Sequence, residues 1–292
     1  MNEKKAVISI DVEDWYHLDY FKNPQKKNYS MIDGLNKIRS VLSETNIPSS
    51  YFMLSDVLDI ESQDIQEVIN TEDDIGVHGT DHTRPLLQSN IQFRDDIRSA
   101  IDLIEEASGK EITGYRAPCF SLDRDKLNIV MDTKIKYDSS FIKFNDHPLY
   151  GKIDLKGFKK IGDGISHMDN FIEFEVSTVN FLSKNLPISG GGYLRTIPWP
   201  IFKNLLKKYI KKNNFYNIFL HPFEFSEKSA NPNDINDLSS INKFRFLHNQ
   251  SSGEARLRRL IEFLKSEGYS FTTFKSLHEE YHNEMMHKVK DV

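Results

Sequence analysis

The chain holds a single cysteine, Cys119, in 292 residues. An intrachain disulfide framework is therefore excluded. Positive charge is also scarce: 38 Lys and Arg stand against 43 Asp and Glu, a formal net charge of −5. The electrostatic footprint of a nucleic-acid binder is missing. No apolar run approaches the roughly 18–20 residues that span a bilayer. Met1 to Lys5 are polar and lead into a run of strand length only, without the apolar centre of a secretory signal. These absences make a soluble, cytoplasmic protein the expectation. The glycine run Gly190-Gly191-Gly192 is not followed by Lys and then Ser or Thr, so it is no phosphate loop. What remains is ample for a core. Hydrophobic residues make up 38% of the chain and aromatics 12%, enough for one α/β domain or two smaller ones.

Strand-length and helix-length patterns alternate. Ala6–Ile10, Ser50–Leu54, Asp74–His78, Ile112–Arg116, Ile135–Asp138, Tyr216–Leu220 and Ser270–Phe274 read as strands. Helical spacing occupies Ile32–Thr45, Asp64–Asn70, Ile91–Ala107, Asp123–Asp132, 200–212 and 254–267. Ile91–Ala107 is the clearest, with Asn90 as N-cap and Gly109 as its stop. Such alternation argues for a parallel sheet, open or closed into a barrel. Residues 145–195 break it. They carry glycine, proline and two runs that read as antiparallel strands, Gly157–Ile161 and Phe171–Val176, and are expected to form a β-rich insertion or lid. Residues 226–250 read as a loop. The domain is expected to span residues 1–280, with 281–292 as a tail.

In parallel α/β sheets, sites form at the carboxyl ends of the strands. Five ionisable residues fall there: Asp11, His78, Arg116, Asp138 and His221. One or two would be coincidence; five point to one mouth. His78-Gly79-Thr80-Asp81-His82 places two imidazoles four residues apart, able to reach one cation. It is not the zinc-protease signature, which needs Glu directly after the first His. A third ligand is available in Asp11-Val12-Glu13-Asp14. Asp11 and Glu13, two apart in an extended segment, point the same way, so one can bind metal while the other takes a proton from water acidified by the ion. Arg116 can hold a carboxylate ionised through a bidentate pair. His221 can protonate a leaving amine. The set describes metal-assisted hydrolysis of an amide or ester.

The ordered motifs Asp11-Val12-Glu13-Asp14, His78-Gly79-Thr80-Asp81-His82, Arg116-Ala117-Pro118 and Leu220-His221-Pro222 resemble the polysaccharide deacetylase family, also called NodB-homology or carbohydrate esterase family 4. Tyr137-Asp138-Ser139-Ser140, Ser189-Gly190-Gly191-Gly192-Tyr193 and His221-Pro222-Phe223-Glu224-Phe225 resemble its subgroup from exopolysaccharide and O-antigen loci. The resemblance implies a distorted (β/α) barrel with a small β-rich insertion. It implies a zinc-type site, with cobalt, nickel or manganese as substitutes, and hydrolysis of an N-acetyl, less often O-acetyl, group on a sugar. Asp11 carries over as general base, His78 and His82 as ligands, Arg116 as the residue orienting the base, and His221 as general acid. Pro118 would hold a loop offering an oxyanion N–H near Cys119 or Phe120.

This sequence departs from the family's two adjacent aspartates. Spacing assigns Glu13 as the metal carboxylate, with Asp14 as runner-up. The later acidic motif that tunes the acid His has no clean match; Asp138 stands in for it. Trp15, Tyr193 and Phe120 are the candidate substrate contacts, while Tyr16 and Trp199 divide evenly between sugar stacking and core. Cys119 reads as a small packed residue rather than a nucleophile, His17 and His147 as surface or loop residues, and Glu72-Asp73-Asp74 as a solvated turn. The expected partner is an acetylated carbohydrate, nucleotide- or lipid-linked, in cell-surface glycan biosynthesis. The rivals are a hydrolase of another C–N bond on the same scaffold, a carbohydrate-binding relative without activity, and a non-haem iron oxygenase. The α/β alternation argues against the last.

Overall fold

The computed structural model describes residues 3–21, 29–144, 147–181, 184–228, 230–236 and 238–290. Strand and helix alternate through β1 (Lys4–Val12), α1 (Gly34–Glu44), β2 (Ser49–Met53), α2 (Gln63–Ile69), β3 (Asp74–Val77), α3 (Asn90–Ser108), β4 (Gly114–Tyr115), α4 (Arg124–Met131) and β5 (Tyr137–Asp138). A β-rich stretch follows: β6 (Lys159–Gly162), β7 (Ile165–Met168), β8 (Phe171–Phe174), β9 (Thr178–Phe181) and β10 (Lys184–Pro187). The chain then forms α5 (Gly191–Thr196), α6 (Trp199–Ile210), β11 (Phe215–Leu220), α7 (Pro232–Ile235), α8 (Ser240–Leu247), α9 (Gly253–Ser266), β12 (Tyr269–Thr272) and α10 (Phe274–Lys290). Among the described residues no helix is long and apolar enough to cross a membrane.

The main sheet runs β11-β1-β2-β3-β4-β5-β8-β7-β6, with β12 also paired to β1. The pairs from β11 to β8 are parallel. The sheet curls, and single backbone hydrogen bonds carry the ring from β5 back to β11. Val176 N–H donates to Phe141 C=O at 2.8 Å, Ile188 to Ser177 at 3.2 Å, and Phe219 to Ser189 at 2.7 Å. This is the distorted (β/α) barrel that the sequence resemblance implies.

Helices pack outside because their apolar residues recur on one face. In α3, Phe93, Ile97, Ile101 and Ile104 are buried, each contributing about 1.5–3 kcal/mol relative to exposure. Ser89, not Asn90, is its N-cap: Ser89 Oγ accepts from Gln92 N–H while Gln92 Oε1 accepts from Ser89 N–H. Gly109 stops the helix in the left-handed region at φ 67°. Inside the ring, Val7, Phe52, Tyr137, Phe174 and Phe215 form a layer with Phe274 and Leu277 of α10. That helix starts beside the amino ends of β2 and β3, where Phe274 N–H donates to Ser50 Oγ and Lys275 N–H to Asp74. The barrel floor is therefore plugged, with a layer of rings and a buried Tyr137–Asp74 pair, while the strand-end cluster of Asp11, His78, Arg116 and His221 lies at the opposite mouth.

Several expectations are corrected. Residues 145–195 are not all insertion: 145, 146, 182 and 183 lie outside the described residues, and β8 is a barrel strand beside β5. Gly157–Ile161 and Phe171–Val176 do contribute antiparallel strands, β6 and β8, each paired with β7, which lies between them. Strands four and five shrink to two residues each. The loop expected at 226–250 contains α7 and α8. The expected tail from residue 281 continues in α10, and Tyr281 packs against the interior cluster. Asp74 is not in a solvated turn; it is 5% exposed and accepts from Tyr137 Oη at 2.6 Å.

Candidate metal centre and active site

Alternation along β1 builds the floor of the mouth. Ser9, Asp11 and Glu13 point one way and are all buried. Ile8, Ile10 and Val12 point outward into the helix-facing core. Ser9 Oγ and Asp11 Oδ1 both accept from Arg116 Nη1, at 2.8 and 2.7 Å. The rest of the guanidinium is held by Ser139, through Nε to its carbonyl at 3.1 Å and Nη2 to its Oγ at 3.0 Å. Its carbon lies 4.3 Å from the Phe52 ring centroid. Arg116 thus sits between the apolar floor and Asp11. It occupies Oδ1 and leaves Oδ2 toward the cavity, 3.9 Å from His221 Nε2.

Glu13 lies one step higher. Its Oε2 is 2.9 Å from His82 Nε2 and 3.8 Å from His78 Nε2. The three ligand atoms lie within 4.8 Å of one another. Despite that approach, Glu13 Oε2 is a buried oxygen without a hydrogen bond of acceptable direction. His78 Nδ1 is 2.8 Å from the Arg116 carbonyl; donation there fixes the tautomer that leaves Nε2 bare for a ligand. His82 is held in the left-handed region (φ 68°) after Gly79 at φ 98°, a strain of about 1–3 kcal/mol of the kind found at functional sites. Converging lone pairs, an orphaned carboxylate oxygen and a fixed tautomer fit a divalent cation with two imidazoles and one carboxylate. Asp14 is not part of the converging group: its Oδ1 accepts from Trp15 N–H and Met31 N–H, both at 2.8 Å, and its Oδ2 is buried without a hydrogen-bond partner among the described residues.

Charge is concentrated at this site: burial alone would depress the His82 imidazole, but Glu13 pushes it up. Burial pushes the Glu13 carboxyl up, but His82, His221 and His78 outweigh it and hold it far below the usual carboxylate range. Burial pushes the His78 imidazole down to about 4. Burial also depresses His221, yet the Glu224 hydrogen bond and charge, with Glu13 and Asp11, lift it to about 9.

Glu224 is a site residue that sequence reasoning missed. Its Oε2 is 3.2 Å from His221 Nδ1, and Oε1 accepts from Arg195 Nη2 at 3.2 Å. A carboxylate fits there because the facing residue is glycine: a Cβ on Gly191 would lie 1.9 Å from Glu224 Oε2. The triple glycine therefore admits a close approach, but by the chain's own carboxylate. Asp138, assigned in the sequence to tuning His221, does something else. It accepts from Ser140 Oγ at 2.6 Å and pairs across the sheet with Glu173, whose Oε1 accepts from Ser140 N–H at 3.2 Å and Phe141 N–H at 2.9 Å. The two acids brace the loop that grips Arg116.

Asp138 and Glu173 are both fully buried, and burial lifts Asp138 to about 6 and Glu173 well above its ordinary value. A folded-state pKa above the unfolded one means that folding retains protons. The stability this pair contributes is then present at about pH 4 and declines as pH rises through about 6. Glu173→Gln should flatten that decline, read as the difference in urea-unfolding free energy between the two proteins across pH 4–7. A parallel pH dependence in both proteins would refute the shared proton.

The other expected contacts divide. Phe120 and Tyr193 line the mouth. Trp15 does not: it is 2% exposed, stacks on Tyr29 at 4.9 Å and donates to its carbonyl. Tyr16 is buried and Trp199 packs on Phe202. His17 caps the turn at Asp14 and reaches Asp56. His147, expected as a loop residue, lines the cavity and stacks on Tyr150 at 4.0 Å. Cys119 lines it too, with its thiol 2.8 Å from Asp19 Oδ2 and pushed up by burial. Phe120 N–H is spent on Ala117 C=O, which leaves Cys119 as the candidate oxyanion donor of the two. A chamber of about 120 Å³ holds Asp11, Glu13, His78, His82 and His221. It adjoins a second chamber of about 180 Å³, and His221 and Phe219 line both.

Residues 28–137 match the family model described as "Polysaccharide deacetylase". Residues 139–279 match a domain of unknown function, DUF3473. A curated peptidoglycan deacetylase of Helicobacter pylori is 22% identical over 140 residues, 48% of this chain and 45% of that protein. The chain thus aligns with under half the length of the curated relative. A Mycobacterium smegmatis structure of the polysaccharide deacetylase type superposes with a TM-score of 0.63 at 16% identity, over 98% of this chain and 92% of that one. A peptidoglycan deacetylase of Bacillus subtilis gives 0.51 at 13%, over 99% and 97%. A carbohydrate esterase family 4 pseudoenzyme from Bacillus anthracis gives 0.54 at 13%, over 95% and 66%. At these identities the structural likeness establishes the fold.

Proposed function

We propose that this chain, a polysaccharide deacetylase homologue of the NodB type, is a metal-dependent hydrolase that removes an N-acetyl group from a sugar and releases acetate. The observation that carries the reading is a carboxylate and an imidazole beside one candidate cation site: Asp11 Oδ2 and Glu13 Oε1 lie 3.9 and 3.6 Å from His221 Nε2. Glu13, His78 and His82 converge. Asp11 is anchored by Arg116, and His221 by Glu224. A binding module needs no such base beside a metal. The name of the Helicobacter pylori relative points the same way.

Glu13, His78 and His82 would hold the ion, with zinc the first candidate for two imidazoles and a carboxylate. When bound, it supplies Lewis-acid polarisation of the acetyl carbonyl and acidification of the attacking water. Asp11 Oδ2 accepts the proton of that water. Arg116 fixes the carboxylate so that this oxygen faces the cavity. The Cys119 N–H faces the developing oxyanion, a type of contact worth about 10²–10³ in kcat. His221, kept protonated by Glu224, delivers a proton from Nε2 to the leaving amine. Tyr193 and Phe120 wall the sugar. The substrate class is an acetylated glycan or its nucleotide- or lipid-linked precursor in cell-surface polysaccharide formation.

Acetate release from N-acetylated sugars, oligosaccharides and nucleotide sugars by metal-loaded protein tests the reading. No acetate from any of them, with stoichiometric metal bound, would overturn it. A second outcome concerns pH. Because His221 acts protonated, activity declines as pH rises through its pKa. Glu224→Gln removes the charge that raises that pKa, so the alkaline limb of kcat should move about 1–3 units toward acid. A limb that stays in place, measured from pH 6 to 10, would exclude Glu224 as the tuning group.

A further inference from the structure

The chamber beside the reaction centre has a distinct chemistry. Its walls are aromatic, with Tyr20, Tyr150, Tyr193 and Phe223 among them. Such rings suit the flat apolar faces of a sugar. Four lining groups can carry charge besides His221: Arg195, Glu224, His147 and Arg245. Three of them are accounted for. Arg195 is 2% exposed and spends Nη1 on the His248 carbonyl at 2.6 Å and Nη2 on Glu224. Glu224 is consumed by Arg195 and His221. His147 is stacked on Tyr150, and burial first, then the Arg245 charge, hold it down to about 4, so it is neutral at working pH.

Arg245 remains. It projects from α8, whose N-terminus is capped by Ser239 Oγ accepting from Asn242 N–H. Its position is set through its backbone, because its carbonyl accepts from Arg195 Nη2 at 3.2 Å. No carboxylate pairs with its guanidinium among the described residues, and it lines both chambers, the one with Asp11 and Glu13 included. In open water a solitary arginine has little to say about function. Arg245 is itself exposed, at the rim of the ring-walled space that it helps to line, where its planar fork is open to a carboxylate or phosphate that takes two hydrogen bonds at once.

We propose that Arg245, with Tyr20, Tyr150 and Tyr193, forms a subsite for an anionic substituent carried close to the acetylated position of the substrate. The subsite rests on the deacetylase reading for its purpose, but not for its ligand chemistry. The anion is a carboxylate on a neighbouring sugar or a phosphate on the linkage; both present paired oxygens to one guanidinium. Arg245 is a specificity-determining residue in this scheme and takes no part in the bond that breaks.

The test compares three substrates in acetate release: a neutral N-acetylated disaccharide, its counterpart bearing a uronic acid, and UDP-N-acetylglucosamine. Native protein should prefer one of the anionic substrates by about tenfold or more in kcat/KM, mainly through KM. Arg245→Gln should reduce that preference to about twofold. The preferred anionic arm names the source of the charge. Equal treatment of all three by native protein, or a preference that survives Arg245→Gln, would overturn the subsite while leaving the deacetylase intact. If no substrate yields acetate, calorimetric titration with glucuronate and with UDP reads the subsite alone. Binding that weakens about tenfold or more in Arg245→Gln supports it. Absence of binding to both, or equal affinity in both proteins, overturns it.

Discussion

Asp11→Asn is expected to lower kcat for acetate release by about 10²–10⁴-fold, the range for a lost general base, with metal content unchanged. The geometry makes the substitution clean. Arg116 Nη1 donates to Asp11 Oδ1 at 2.7 Å and to Ser9 Oγ at 2.8 Å. In the variant, the amide oxygen takes the place of Oδ1, since a guanidinium cannot accept from an amide nitrogen. The NH2 group then faces the cavity, where a proton acceptor is required. Arg116 keeps hydrogen bonds to that amide oxygen, Ser9 and Ser139 but loses its only carboxylate partner among the described residues, so a loss of stability of about 3–5 kcal/mol accompanies the substitution and Tm is read on the same samples to confirm a folded variant. The variant also separates the two carboxylates of β1. If Glu13 were the base and Asp11 a ligand, Asp11→Asn would lose metal instead of turnover per metal. Steady-state acetate release, with metal measured on the same samples, decides it. A loss below about tenfold per bound metal would remove Asp11 from the chemical step.

Much of this site was legible because its residues sit at periodic positions. Strand-end placement selected Asp11, His78, Arg116 and His221, and the two-residue spacing of Asp11 and Glu13 put both in the mouth. Spacing favoured Glu13 as the metal carboxylate and kept Asp14 as runner-up. The structure adds a local reason: Asp14 starts a turn at Trp15 and turns Oδ1 to two backbone N–H groups, while Glu13 is the carboxylate that meets His78 and His82. The misassignment of Asp138 has a similar origin. Its strand-end position is real, but its partner Glu173 lies on β8, 35 residues downstream in a stretch read as an insertion. Short strands hide such pairings: β4 and β5 have two residues each, too few to show period-two alternation.

The residues that tune specificity were the least legible. Glu224 stands three positions after His221, a spacing that becomes meaningful only once Pro222–Glu224 is seen as a helical turn and Gly191 as the space for its carboxylate. Arg195 and Arg245 come from separate helices, α5 and α8, that meet at the mouth. Nothing in their local sequence marks one arginine as buried and paired and the other as free. The closing contacts of the barrel, through Ser177, Ser189 and Phe219, are single hydrogen bonds and leave no pattern at all. Periodic burial writes itself into sequence, whereas pairing between distant side chains does not.

Glu13→Gln should abolish high-affinity metal binding and with it activity, with affinity reduced by about 10²-fold or more, since even partners one shell away from a metal cost 10–100-fold. Glutamine keeps the volume of a side chain that is 1% exposed and removes the charge that three imidazoles converge on. Stability provides an independent readout. A ligand that binds only the native state stabilises it by about 2.7 kcal/mol at 100 times its Kd, so zinc should raise the Tm of the native protein and chelation should reverse the rise. In Glu13→Gln, the same zinc addition should leave Tm nearly unmoved. Asp14→Asn is the discriminating control. It weakens the acceptor for Trp15 and Met31 N–H and should lower Tm in both the presence and absence of zinc. The zinc-induced increment itself should survive, because Asp14 Oδ1 faces those amides and not the His78–His82 pair. An increment lost in Asp14→Asn but kept in Glu13→Gln would reverse the assignment of the ligand and, with it, the division of labour along β1.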